Sequence, residues 1–100
     1  MKRLTNNQKK YLRKLAHDLN PVVMIGQQGL SEAVLSELDS TMKKHELLKI
    51  KIRVDDRNKK KEMVDKIIKF SKAFLVQIIG NVLVIYRPFE ENPMIILPRK

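Results

Sequence analysis

The segment "LLKIKIRV", residues 47–54, alternates strictly between apolar and basic side chains. Leu48, Ile50, Ile52 and Val54 fall on one side, and Lys49, Lys51 and Arg53 on the other. Successive side chains of an extended chain point to opposite faces, so this pattern specifies a half-buried β-strand. Such a strand needs strand neighbours and an apolar cover, and the rest of the chain must supply both.

The flanking segments read as that supply. Thr5 opens "TNNQ", a capping box with Gln8, and Tyr11, Leu12, Leu15, Ala16 and Leu19 then recur on one helical face. Asn20-Pro21 is expected to close this helix, because the proline ring disfavours helical geometry at the residue before it. "VVMI", residues 22–25, is apolar on both faces and reads as a central strand. Ser31 is a good N-cap, with Leu30 and Leu35 at the two positions of a hydrophobic staple. Val34, Leu35, Leu38 and Met42 give the second helix its stripe, ending near His45. Asp55, Asp56 or Asn58 caps a third helix whose stripe is Met63, Val64, Ile67 and Ile68. "FLVQII" and "VLVIY" flank Gly80-Asn81, a two-residue hairpin of the II′ kind. Pro88 stops the last strand, and Ile95–Leu97 in the proline-bracketed tail either adds an edge strand or docks loosely.

The order is α-β-α-β-α-β-β. Strands alternating with helices argue for βαβ crossovers, and the hairpin adds an antiparallel pair. The expectation is an α/β (α+β) fold with a four-stranded mixed sheet packed with helices. A length of 100 residues with 43% hydrophobic content bounds this to a single domain spanning 1–100 with one modest core, about 4–88, and a tail at 89–100. Whether the first helix covers the second sheet face is not legible.

Several function classes lack a signature. There is no Cys, hence no disulfide, thiolate metal site or Cys nucleophile. No His cluster has metal-ligand spacing, no phosphate-binding Gly-Lys-Ser/Thr loop occurs, and the acids are scattered, mostly as caps. No catalytic residue, metal or cofactor is expected. The basic N-terminus is followed by no apolar stretch of signal-peptide type, and "VLVIY" is far too short to span a membrane, so a cytoplasmic protein is expected.

Charge is the strongest global signal. Lys and Arg number 21 against 11 Asp and Glu, a formal net charge of +10. In so small a chain this favours a polyanionic partner, with nucleic acid foremost and a solubilising surface as the bland alternative.

The loop "GQQG", Gly26-Gln27-Gln28-Gly29, holds two of the three glycines and joins a strand to a capped helix start. Helix N-termini present unpaired N–H groups, and glycines remove the Cβ atoms that hold a sugar-phosphate backbone away. G-x-x-G is also the loop pattern with which KH modules clamp nucleotide backbone. The alternative is a tight turn and nothing more. Lys49, Lys51 and Arg53 form a basic row on one strand face, and Lys9, Lys10, Arg13 and Lys14 a basic helix face; either is also an ordinary solvated face. "RNKKKE" puts positive charge at a helix start, against the dipole, which hints at a partner. Arg87 follows Tyr86 at a strand end and is a candidate phosphate ligand, whereas Tyr86 reads as core. His17 and His45 read as local caps.

"LAHDLNPVVMIGQQGLSEAVLSELDSTMKKHELLKIKI" followed by "VQIIGNVLVIYRP" resembles the CRM-domain family, the bacterial YhbY-like proteins and the chloroplast splicing and ribosome maturation domains. The resemblance runs from about Leu4 to Pro88. It implies the element order above, a fold resembling the C-terminal domain of the third translation initiation factor, and RNA binding. For single-domain bacterial members it implies association with precursors of the large ribosomal subunit. Gly26 and Gly29 match the family loop, Lys49 the Lys of "HEL-K", and Arg87 the Arg of "YRP". Gln27 and Gln28 stand where family loops often carry Lys or Arg, and Gly80-Asn81 where hairpins often read Gly-Lys. The expected protein is a monomeric, non-catalytic RNA-binding accessory factor of ribosome assembly. The alternative is a protein-interaction module of the translation machinery whose basic face meets acidic partners.

Overall fold

The structure is a computed structural model, and it describes residues 3–100. Three helices and four strands follow the expected order: α1 Asn6–Ala16, β1 Pro21–Ile25, α2 Glu32–Met42, β2 Leu47–Ile52, α3 Arg57–Ser71, β3 Phe74–Ile79 and β4 Val82–Tyr86. The strands form one mixed sheet in the order β1-β2-β4-β3. β1 and β2 are parallel neighbours joined through α2, while β4 lies antiparallel between β2 and β3. The second crossover, through α3, therefore skips one strand, and the chain fills the gap by the hairpin.

The local signals act as expected. Thr5 and Gln8 close a reciprocal capping box at 2.9 and 3.1 Å. The Ser31 hydroxyl accepts from Val34 N–H, and the Asp56 carboxylate from Asn58 and Lys59 N–H. Asp56 also puts a negative charge at the end of α3 whose first turn carries basic side chains and no acid, offsetting part of their clash with the dipole. Gly80 has φ +54 while Asn81 keeps a negative φ, the φ pattern of a II′ turn between Ile79 and Val82.

Both sheet faces are covered, giving two apolar clusters. Leu48, Ile50, Ile52 and Val54 pack with Val23, Ile25, Leu83 and Ile85 under α2 and α3, whose buried residues include Leu38, Met42, Val64 and Ile67. On the opposite face Leu47, Val76, Val84 and Tyr86 pack under α1 through Leu12 and Ala16. Phe74 stacks on Tyr86 with ring centroids 6.2 Å apart. The first helix thus covers the second face, which the alternating strand pattern did not disclose.

Three expectations are corrected. β1 is an edge strand, not a central one: Val22 and Met24 are 46% and 55% exposed. α1 lies over β2, β3 and β4, so the residues of β1 that share its face are left about half exposed. The first helix ends at Ala16 with His17 as C-cap; Leu19 lies beyond it, and Pro21 already pairs with Lys49. Tyr11 and Leu15, assigned to the apolar stripe, are exposed at 38% and 41% because the sheet is reached only by Leu12 and Ala16.

The tail forms no strand and does not dock loosely. The Glu46 side chain, 4% exposed, accepts backbone N–H bonds from Phe89 through Oε2 at 2.9 Å and from Met94 and Ile95 through Oε1 at 2.8 and 2.7 Å. A carboxylate satisfied by three donors holds a strandless segment against the body, and Gln8 Nε2 adds a bond to Pro98 O at 2.8 Å. Ile95 and Leu97 then pack on the α1-side cluster.

Candidate nucleic-acid interface

The glycine loop is a hydrogen-bonded turn. Gly29 N–H donates to Gly26 O at 3.1 Å, so Gln27 and Gln28 occupy the exposed tip. Gly29 has φ +84, where a side chain is strained, and a Cβ there would meet Met63 Cε at 3.5 Å. Gly26 differs: its φ is not left-handed, and a Cβ would meet nothing within 4 Å. Fold geometry thus demands glycine at Gly29 and leaves Gly26 unexplained by packing. Two donors near the helix start, Gly29 N–H and Val34 N–H, are already engaged, and Glu32 places a carboxylate in the first turn of α2. The helix end alone is therefore a weaker anion site than the bare motif implies.

Positive charge comes from the adjacent strand. Arg53 N–H donates to Ile25 O at 2.7 Å, which sets Arg53 beside Gly26, and Lys51 is the register partner of Met24. The row Lys49, Lys51 and Arg53 runs along β2 on the α1 side of the sheet and ends at the loop. At its other end Lys49 Nζ donates to His17 O at 3.5 Å, and Arg13 of α1 lines the same shallow cleft as Lys49. Among the described residues none of these four cations is in a salt bridge.

The remaining candidates are placed elsewhere. Lys10 and Lys14 are solvent-exposed on α1, while Lys9 turns to the β3 edge beside Arg3, Asn6 and Phe74. Arg87 leaves the far end of β4, opposite the loop. Its Nη1 donates to Ser71 O at 3.0 Å, and its Nη2 lies 3.8 Å from Asp39 Oδ1. Its backbone N–H donates to Glu46 O at 2.8 Å. Tyr86 beneath it is 2% exposed and is core. Burial, and then the Glu46 carboxylate, raise the Tyr86 phenol above its ordinary value.

Residues 4–87 match the model of the CRS1 / YhbY (CRM) domain. The chain belongs to the CRM-domain family. It is 48% identical over 100 residues to an RNA-binding protein of Haemophilus influenzae, with each chain covered in full. It is 33% identical to Bacillus subtilis YqeI, named a probable RNA-binding protein, over 95% of this chain and 99% of that one. The solution structure of the Staphylococcus aureus hypothetical protein SAV1595 superposes with a TM-score of 0.81 at 39% identity, covering 95% of this chain and 99% of the other. Among the described residues of this CRM domain, no helix is long and apolar enough to cross a membrane.

Sequence reasoning missed Glu46, the most heavily bonded side chain at the far end of the sheet. A single acid between a histidine and two leucines gives no local sign that it will be buried. It also missed Lys60, whose Nζ donates to Gly80 O and to Asn81 Oδ1 at 3.3 Å, tying the start of α3 to the hairpin. "RNKKKE" hints at a partner in the sequence; for Lys60 the acceptors are in the chain's own turn.

Proposed function

We propose that this protein is an RNA-binding accessory factor of ribosome assembly that docks, without catalysing a reaction, on structured RNA of precursor large ribosomal subunits. The observation that carries the reading is one surface: Arg13, Lys49, Lys51 and Arg53 line up across α1 and β2 and end at Gly26, with Gln27 and Gln28 exposed beside it. A line of cations free of salt bridges meets successive phosphates of one backbone, and the turn gives that backbone a place to approach without a Cβ at Gly26. The amides supply donors and acceptors for sugar or a base edge. Lys10 and Lys14 extend the positive field without belonging to the row. Net charge of +10 brings a polyanion to this face at speed. The protein works as a cytoplasmic monomer without cofactor in this reading, and Arg87 serves the fold before it serves RNA.

The test is sedimentation of a native extract containing the tagged protein, before and after RNase treatment. The expected result is migration with precursor large subunits and release by RNase, with crosslinked fragments mapping to large-subunit RNA. Retention in the heavy fraction after RNase identifies a protein partner instead and overturns the reading.

A further inference from the structure

A second surface on the same side as the glycine loop is not explained by the basic row. On α3, Lys59, Glu62, Met63, Lys66, Lys69 and Phe70 are spaced three or four residues apart and so share one helical face. This face borders a groove of about 640 Å³ whose other wall is Gln28, Gly29, Leu30 and Leu35. The floor is apolar. Leu30 and Met63 are partly buried against the core beneath it, while Phe70 is 45% exposed. The rim carries three lysines against one glutamate, and among the described residues none of the three is in a salt bridge.

We propose that this groove is a binding site for an unstacked, single-stranded nucleotide segment. A base seats on Met63 and Phe70, and its phosphates lie on Lys59, Lys66 and Lys69. The inference rests on the RNA-binding reading above and adds to it a subsite of different chemistry.

Phe70 stands at the mouth of an apolar groove rather than alone on the surface, so its ring offers a face beside a hydrophobic floor. Every base has a π face, so an aromatic side chain flanked by cations suits a nucleotide irrespective of sequence. Lys59 and Phe70 are separated by about 16 Å along the helix axis, which is room for more than one nucleotide. The groove also opens at Gln28, so RNA whose backbone reaches the loop turn from the strand row can continue into it. The Gln28 amide, with both donor and acceptor, is placed to meet a base edge at the entrance. The lysine rim argues against the other occupant of such a groove, an apolar helix from a partner protein, unless that partner is acidic.

The chain contains no Trp, so Phe70→Trp makes a single-fluorophore reporter at the proposed stacking position. The probes are single-stranded octamers of uridine and of adenosine, a structured large-subunit RNA fragment, and an acidic amphipathic peptide. The expected result is that both octamers quench the Trp emission and bind Phe70→Trp about as tightly as wild type. Phe70→Ala, checked for folding by circular dichroism, weakens octamer binding by about 5- to 150-fold with an unchanged salt slope. Lys66→Ala lowers that slope by about 0.7. Octamers that bind without moving the emission, together with wild-type affinity in Phe70→Ala, overturn the groove and leave the RNA reading standing. A peptide that shifts the emission where octamers do not assigns the groove to a protein and also overturns the proposal. Failure of the wild-type protein to bind any of the RNAs removes the RNA reading and this inference together.

Discussion

The two ends of the sheet leave the same kinds of residue in opposite surroundings. At the far end, Arg87 and Glu46 are polar groups with their bonding capacity taken up by the chain: Glu46 by three tail N–H groups, Arg87 by Ser71 O and Asp39. At the loop end, Lys51 and Arg53 are in no salt bridge among the described residues, and Gln27 and Gln28 stand at an exposed turn. A charged residue is therefore informative about a ligand only where the fold has left it unpaired. Arg87 and Lys51 looked alike as candidates in the sequence, and their surroundings separate them.

The sharpest way to break this contrast is at Glu46. Glu46→Ala leaves three partly buried N–H groups without their acceptor, and we expect a loss of about 2–4 kcal/mol in unfolding free energy together with protease cleavage within the tail. Glu46→Gln keeps one acceptor oxygen, enough for Met94 and Ile95, and should lose about half as much. Chemical denaturation and limited proteolysis read both. An unchanged midpoint and an intact tail in Glu46→Ala would mean that apolar packing of Ile95 and Leu97 holds the tail unaided.

Gly29→Ala comes next, at about 1–2 kcal/mol of destabilisation, because an L side chain is strained at φ +84. Gly26→Ala is its control: with open space and no left-handed φ, it should stay within about 0.5 kcal/mol of the parent. Weaker RNA binding by Gly26→Ala at unchanged stability is the expected mark of close backbone approach. Normal binding by that variant reduces the loop to a turn.

A gentler test compares the cations. Lys51→Ala and Arg53→Ala should each lower the slope of log affinity against log salt by about 0.7–0.9 without altering stability, whereas Arg87→Ala should leave the slope alone and cost about 1 kcal/mol. Equal slope changes for Arg87 and Lys51 would erase the distinction between the two ends.

The smallest expected effect is alkaline. The folded state raises the Tyr86 phenol above its ordinary value of 10.0, so folding favours the protonated form. Its contribution is complete below about pH 10 and is lost as pH rises through the folded-state value. Tyr86→Phe should flatten that decline in denaturation midpoints above about pH 10 relative to the parent, since lysine titration is common to both proteins. Parallel curves would show that Tyr86 titrates as it does in the unfolded chain.

What the sequence determined by itself lies within a few residues of the signal. The Thr5–Gln8 box, the Ser31 cap, the Gly80-Asn81 turn and the period-2 pattern from Leu47 each depend on neighbours two to four positions away and stand where they were read, although the ladder stops at Ile52 rather than Val54, and Asp56 is the one of three capping candidates that the fold uses. The element order follows from them, and so does the basic row, because alternation alone puts Lys49, Lys51 and Arg53 on one face. Tertiary structure decided which faces were covered and which polar groups were already paired. Val22 and Met24 have the same apolar character as Val23 and Ile25, yet α1 does not reach them. Glu46 meets its tail donors across 43 to 49 residues, and Gln8 meets Pro98 O across 90. Partners at such separations leave no periodicity or spacing in the chain, because they are chosen by packing in three dimensions after the local elements have formed.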